Sequence, residues 1–394
     1  LANAAGNVPD WIELHNTTDE PVHVGGWFLS DDADEPTKYE IVRGTTIGPG
    51  GYLVLTEDRQ FGNSGAAGCH TPFALSRNGE TVYLNSGSNG TLTGYTEQQE
   101  FGPSDPGVPF GRHQLSTGAF DFAPMGEPTP GGPNAYPAVG PVVITEIMYH
   151  PDGSSDAEYV ELRNISDLEV TLYDFVRDAP WRLADDPDDP GLAFLLPSDE
   201  PVTLAPGQYL LLVKDKLLSN VRYSVPESVP VFEWGAGRLS NAGETVHLGR
   251  PGDLDAEGLR HWIAVDRVAF SDGAHGEDFA DGIDPWPVEA DGFGSSLTRT
   301  APDRYGNDPN NWQADIPSPG VTKRLLGRWI QLGALLGKTR PLQAGELLLD
   351  GFLDRPAPAR EHLVFDKLVQ VFQGFLLDAD CNFGESHFNH RYYC

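Results

Sequence analysis

The sequence predicts an all-β protein of two tandem antiparallel β-sandwiches followed by a partly helical tail, and three observations carry that prediction. A phrase of alternating apolar and polar residues occurs twice. Its echoes recur downstream in the same order. Past Gly320 both the alternation and the acidity stop.

The phrase Asp10-Trp11-Ile12-Glu13-Leu14-His15-Asn16 returns as Glu158-Tyr159-Val160-Glu161-Leu162-Arg163-Asn164. Ile12 and Leu14 share one face and Trp11, Glu13 and His15 the other, the period of a half-buried strand, and Val160 and Leu162 repeat the pattern. Next come Pro49-Gly50-Gly51-Tyr52-Leu53-Val54-Leu55 and Pro206-Gly207-Gln208-Tyr209-Leu210-Leu211-Leu212. Then Leu75-Ser76-Arg77-Asn78-Gly79-Glu80 is matched by Leu239-Ser240-Asn241-Ala242-Gly243-Glu244. Each copy closes on Pro-x-Pro-Gly, at Pro128 to Gly131 and Pro317 to Gly320. The separation between copies grows from 148 to 157 to 164 to 189 residues, so insertions fall between fixed strands. Loops tolerate such drift and cores do not.

Further strands are expected at 27–30, 39–42, 52–56 and 81–85, and at 181–184, 209–214, 245–249, 263–270 and 296–300, with turn clusters between them. Many short strands without long helical periods indicate antiparallel sandwiches over 1–133 and 140–320. The Pro- and Gly-rich linker 126–141 is too short for a flexible tether, which places the two close together. In 321–394 the steps of Leu325, Trp329, Leu332 and Leu336, and of Val364, Leu368, Val371 and Phe375, read as amphipathic helices.

The formal charge is −32, and the residues past Gly320 hold nine basic and eight acidic side chains, leaving the repeats at −33. A surface of that sign repels phosphate backbones and argues against a nucleic-acid partner. It suits cations or a basic protein surface. Only Cys69 falls within the repeats, too few cysteines for a disulfide framework. No run of 18 apolar residues predicts a membrane span. Subtracting 148 from the strand Val142-Val143-Ile144-Thr145-Glu146-Ile147-Met148 places its counterpart before Leu1. The first copy is therefore expected to lack its opening strand, to keep an unpaired edge there, and to belong to a fragment of a longer protein.

These phrases resemble the lamin-tail domain family. The resemblance rests on Val143-Ile144-Thr145-Glu146-Ile147-Met148-Tyr149-His150-Pro151, on 158–164 and 239–248, on Pro285-Trp286-Pro287 with Asp291-Gly292-Phe293-Gly294, and on Asn311-Trp312 with the closing Pro-Ser-Pro-Gly. The first copy matches through 10–16, 25–31 and 75–84 and lacks the Trp-Pro and Asp-Gly-x-Gly segments. The resemblance implies an immunoglobulin-like β-sandwich, seen at the end of nuclear lamins and in secreted or surface-attached bacterial proteins near hydrolases, spore-coat-type kinases or calcium-binding repeats. It brings no catalytic residues.

Glu13 and Glu161 recur at equivalent places. A catalytic carboxylate needs a partner acid or base and neither copy repeats one, so the reading is that each accepts backbone N–H bonds and pins a loop. Asp31, Asp32, Asp34 and Glu35 form one acidic loop; Asp185, Asp186, Asp188 and Asp189 form another. Dense carboxylates can wrap calcium, although the spacing is no EF-hand and solvated turns are the plainer reading. Cys381, His387, His390 and Cys394 are four zinc-ligand types at a spacing of no common finger. Gly333 to Thr339 falls one residue short of a phosphate loop, and Asp378 to Asn382 opens like a calcium loop without its Gly and Glu. No Gly-x-Ser-x-Gly or His-Glu-x-x-His occurs.

The expectation is a non-enzymatic binding or structural module of a large exported or cell-surface bacterial protein, secreted or surface-held. It would hold to a protein or surface component beside neighbouring domains, with calcium the one candidate cofactor. Two alternatives stand beside it: an accessory region of a surface enzyme whose catalytic domain lies elsewhere, and a calcium-dependent adhesin.

Overall fold

The computed structural model describes residues 9–186 and 190–321, which fall within one compact unit. The helices expected beyond Gly320, the cysteine and histidine cluster at 381–394, and the loops at 333–339 and 378–382 lie outside the described residues.

The first copy contains β1 (Trp11–His15), β2 (Val22–His23), β3 (Phe28–Ser30), β4 (Tyr39–Glu40), β5 (Thr46–Ile47) and β6 (Tyr52–Thr56). It continues with β7 (Glu80–Ser88), β8 (Thr91–Phe101), β9 (Phe110–Gln114) and β10 (Phe120–Pro124). β1 pairs antiparallel with β6, β2 with β5, and a four-stranded sheet runs β4-β3-β7-β8. Between them lies a core of Val24, Leu29, Tyr39, Ile41, Ile47, Leu55, Phe61 and Phe73. Ile12 and Leu14 pack against that core from β1, as the alternation requires. β9 and β10 form a separate antiparallel hairpin.

The second copy opens with β11 (Val142–Met148), β12 (Tyr159–Asn164), β13 (Val170–Thr171), β14 (Tyr173–Asp174), β15 (Ala179–Pro180) and β16 (Arg182–Ala184). There follow β17 (Ala193–Leu195), β18 (Thr203–Leu204), β19 (Tyr209–Val213), the helix α1 (Lys216–Tyr223) and β20 (Val231–Glu233). The long hairpin β21 (Gly243–Leu254) and β22 (Arg260–Ser271) precedes β23 (Ser296–Arg299) and β24 (Trp312–Asp315). A six-stranded sheet ordered β20-β19-β12-β11-β23-β24 packs on a four-stranded one ordered β17-β16-β21-β22. Val160 and Leu162 enter the core between them, where Trp286 and Trp312 bring the Trp-Pro and Asn-Trp segments within 6.3 Å.

Two features depart from the sequence expectation. β19 and β20 pair parallel in an otherwise antiparallel fold. α1 arises within the insertion after β19, capped by the Asp215 carboxylate accepting from Leu218 N at 2.7 Å. Tyr223 of α1, with Val225 and Val229 beyond it, joins Tyr159, Leu211 and Val213 in a second small core on the outer face of the sheet. An eight-residue helix is too short to show a period in a sequence scan.

Among the described residues β1 pairs with β6 alone, whereas its counterpart β12 lies between β11 and β19. The described part of the first copy has no equivalent of β11, and its hairpin β9–β10, which like β23–β24 precedes the closing Pro-x-Pro-Gly turn, is a sheet of its own.

Candidate functional site

The repeated side chains of the two copies make the same bonds. Glu13 lies on β1, and its Oε2 accepts from Gly131 N at 2.5 Å; Glu161 lies on β12, and its Oε2 accepts from Gly320 N at 2.5 Å. In each copy a sheet carboxylate thus holds the glycine of the closing Pro-x-Pro-Gly turn. Burial raises the Glu13 carboxyl above its usual value, with the Gly131 bond acting in the opposite sense. The second copy adds a neighbour: Glu146 of β11, opposite Glu161 in register, accepts from Ser318 N at 3.0 Å. Thr145 Oγ1 donates to Glu161 Oε1 at 2.6 Å.

A second pair of anchors was not singled out in the sequence. Leu75 N donates to Asp10 Oδ2 at 2.8 Å, and Leu239 N to Glu158 Oε2 at 3.0 Å. One residue on, Ser76 N donates to Glu80 Oε1 at 2.7 Å and Ser240 N to Glu244 Oε1 at 2.9 Å. Burial pushes Glu158 and Glu244 each up to about 7. The glycine in this motif has a steric reason. Gly79 (φ 89°) and Gly243 (φ 98°) would bring a Cβ within 2.6 Å of Phe101 O and 2.4 Å of Phe270 O.

The third repeated anchor ends the opening phrase. Asn16 Nδ2 donates to Glu20 O and Ile47 O at 2.8 and 3.0 Å, while Thr18 N and Oγ1 donate to its Oδ1. Asn164 does the same with Leu168 O, Leu204 O and Ser166. An amide can supply two donors and an acceptor at one point, which a carboxylate cannot. The signal was present, since both copies of the phrase finish in Asn.

The acidic loops differ. In the first, the Lys38 ammonium lies 2.7 Å from Asp31, 3.7 Å from Asp32 and 3.9 Å from Glu35, and the Asp31 bond raises the Lys38 pKa. The Asp34 main-chain N–H donates to Asp32 Oδ1. The Lys38 ammonium thus lies among three of the four carboxylates that the sequence offers as a candidate calcium loop. Trp27 to Asp31 aligns with Trp181 to Asp185, which puts Leu192 in the place of Lys38. There Asp185 Oδ2 accepts from Leu192 N at 2.8 Å and Asp186 is exposed. Asp188 and Asp189 lie outside the described residues. Among the described residues no group of three or more His, Cys, Asp or Glu side chains is placed to hold a metal, and no helix is long and apolar enough to cross a membrane.

Residues 1–98 match the model of the lamin tail domain. That domain is immunoglobulin-like and non-enzymatic, in keeping with a fold that is mostly antiparallel strand. The matched stretch contains Asp10, Glu13, Asn16, Lys38 and Glu80 and runs as far as β8. No curated protein matches the chain.

Proposed function

We propose that the chain is a non-catalytic architectural and binding module of an exported or cell-surface bacterial protein, built from two tandem lamin-tail-type sandwiches. The observation that carries this reading is how the repeated carboxylates are used. Asp10, Glu13 and Glu80, like Glu158, Glu161 and Glu244, each accept a main-chain N–H that fixes a loop. Residues that recur in both copies are spent on holding loops in place.

The functional surface is then the set of loops so held, together with exposed sheet edges, which in sandwiches accept partners by shape and by strand addition. The acidity of the repeats favours a basic partner surface and a rapid, salt-sensitive encounter with it.

The test is topological. Protease added to intact cells of the source organism, with a cytosolic protein as control, is expected to remove this protein while sparing the control. Protection of the protein until lysis would overturn export. Turnover of an ester, glycoside or phosphoryl substrate by purified chain, abolished by Glu161→Gln with the fold intact, would overturn the non-catalytic reading.

A further inference from the structure

We propose that the loop between β22 and β23, residues 272–294, is a docking surface for a basic protein segment that carries an apolar anchor. The proposal deepens the binding reading above and rests on it, since it names the loop that makes the contact and the chemistry of what it takes.

The loop is set apart by composition. Between 272 and 294 stand seven carboxylates and no lysine or arginine. In the same stretch Phe293 is 79% exposed, Ile283 65% and Val288 48%. The separation between the two copies also grows most, from 164 to 189 residues, across the part of the chain that contains it. A run of carboxylates alone is a solvated turn. Large apolar side chains held in water beside that run are the anatomy of an interface, an apolar anchor with a charged rim.

The loop does not hang free. Trp286 and Ala290 are buried in the core of the second sandwich, and Phe279 packs against it. Asp284 accepts from Ser271 Oγ at 2.5 Å, from Trp286 N at 3.0 Å and from His275 N at 3.1 Å. The two arms close on each other at glycines: a Cβ on Gly273 would meet Trp286 O at 2.7 Å, and one on Gly276 would meet Gly282 O at 2.4 Å. Asp291 pairs with His150 at 2.5 Å, and Gly292 N donates to His150 O at 3.1 Å. Phe293 is thus exposed on an anchored segment, between Gly292 and Gly294, both at positive φ. A loop held in this way loses little freedom when a partner arrives, which favours binding.

Charge decides what the partner is. Tyr149 is buried, and its hydroxyl has no hydrogen-bond partner among the described residues. Burial, and then the charges of Asp291, Asp272 and Asp284, hold that phenol above its usual value, so these three carboxylates converge on one place. Glu277, Asp278, Asp281 and Glu289 add an exposed rim. Among the described residues the ion pairs of this loop are with His150 and His275. A segment bearing lysine or arginine complements that field, while an anionic bilayer is repelled by it.

Fluorescence anisotropy of a labelled peptide of repeating Lys-Leu-Lys-Gly, titrated with the full chain, tests the surface. An all-Lys peptide and a Glu-Leu-Glu-Gly peptide are the controls. The Lys-Leu-Lys-Gly peptide is expected to bind, to weaken as salt rises, and to bind about tenfold more tightly than either control. Phe293→Ser is expected to weaken it about tenfold, and Glu277→Lys about threefold at low salt, with the urea midpoint unchanged in both. Glu257→Lys reverses an exposed charge at the opposite end of the β21–β22 hairpin and is expected to leave the affinity within about twofold. No binding at low salt would overturn the proposal, as would binding that Phe293→Ser and Ile283→Ser both leave unchanged. Equal losses in Glu257→Lys and Glu277→Lys would also overturn it, since the attraction would then belong to the net charge of the molecule. Co-sedimentation with phosphatidylcholine vesicles that Phe293→Ser abolishes would overturn it by assigning the loop to lipid. None of these outcomes touches export or the absence of turnover, which the protease and substrate assays decide.

Discussion

Replacing Asn164 with Ala removes a buried side chain that makes four hydrogen bonds in the second sandwich. Asn164 is fully buried, donates to Leu168 O at 2.7 Å and Leu204 O at 2.8 Å, and accepts from Ser166 N and Oγ at 3.0 and 2.8 Å. A typical protein hydrogen bond contributes about 1 kcal/mol net. Ser166 Oγ is close to solvent and can rebond to water, so about three bonds count in full. Leu204 is buried, and its carbonyl keeps its ladder pairing with β13, so it adds no further cost. The expected loss is about 2–4 kcal/mol, a large share of the roughly 5–15 kcal/mol that holds a typical domain folded. Urea titration followed by tryptophan fluorescence measures it, and Trp181, Trp286 and Trp312 in the core report on this sandwich. Asn164→Asp keeps the acceptor but sets a carboxylate oxygen against two carbonyls, so it should be at least as damaging near neutral pH and partly recover in acid. A loss below about 1 kcal/mol for Asn164→Ala would refute the reasoning, because three lost bonds together should exceed that.

Other outcomes follow from the same geometry. Burial raises Glu158 and Glu244 to about 7 in the folded state from an ordinary 4.5, so their contribution is complete below 4.5 and is lost as pH rises through 7. The urea midpoint of the second sandwich should fall between pH 5 and 8 and flatten in Glu158→Gln; a rising midpoint would contradict this. Asp105 and Asp121 are depressed, and what they contribute is lost instead as pH falls below the ordinary carboxylate range. Lys38 fills the first acidic loop, so thermal scans in EGTA and in millimolar calcium should coincide, and a midpoint raised by calcium would show that the loops bind it. Gly243→Ala, at positive φ and facing Phe270 O, should cost about 2–4 kcal/mol by denaturant titration; a neutral result would mean that the backbone relaxes there.

The sequence makes the strands of the repeated phrase legible because their cores are one-sided. Ile12 and Leu14, or Val160 and Leu162, must face inward, and alternation records it. β8 leaves no such record: Thr91–Phe101 is largely exposed and rich in Thr, Gln and Glu, and it is ordered by pairing with β7 rather than by burial. The glutamates at 13 and 161 stood out as repeated charges on strands. Asn16 and Asn164 did not, since Asn also favours turns for local reasons and its long-range bonds have no local signature. Asp121 illustrates a harder limit. Its partner Arg267 lies 146 residues away, and neither occurs in the repeated phrases.

The glutamate on the first strand of the phrase bears on how the chain carries force. The segment leaving the second sandwich is tied at Gly320 to Glu161, on the strand that opens the repeated phrase. Tension arriving from beyond Gly320 therefore reaches β12 through Glu161, β11 through the Ser318 bond to Glu146, and β24 through the main chain. The acidic loop and the α1 insertion lie off that load path. They can change chemistry without altering where the module takes strain, and the largest growth in separation between the copies, from 164 to 189 residues, falls elsewhere, between the third echo and the closing turn.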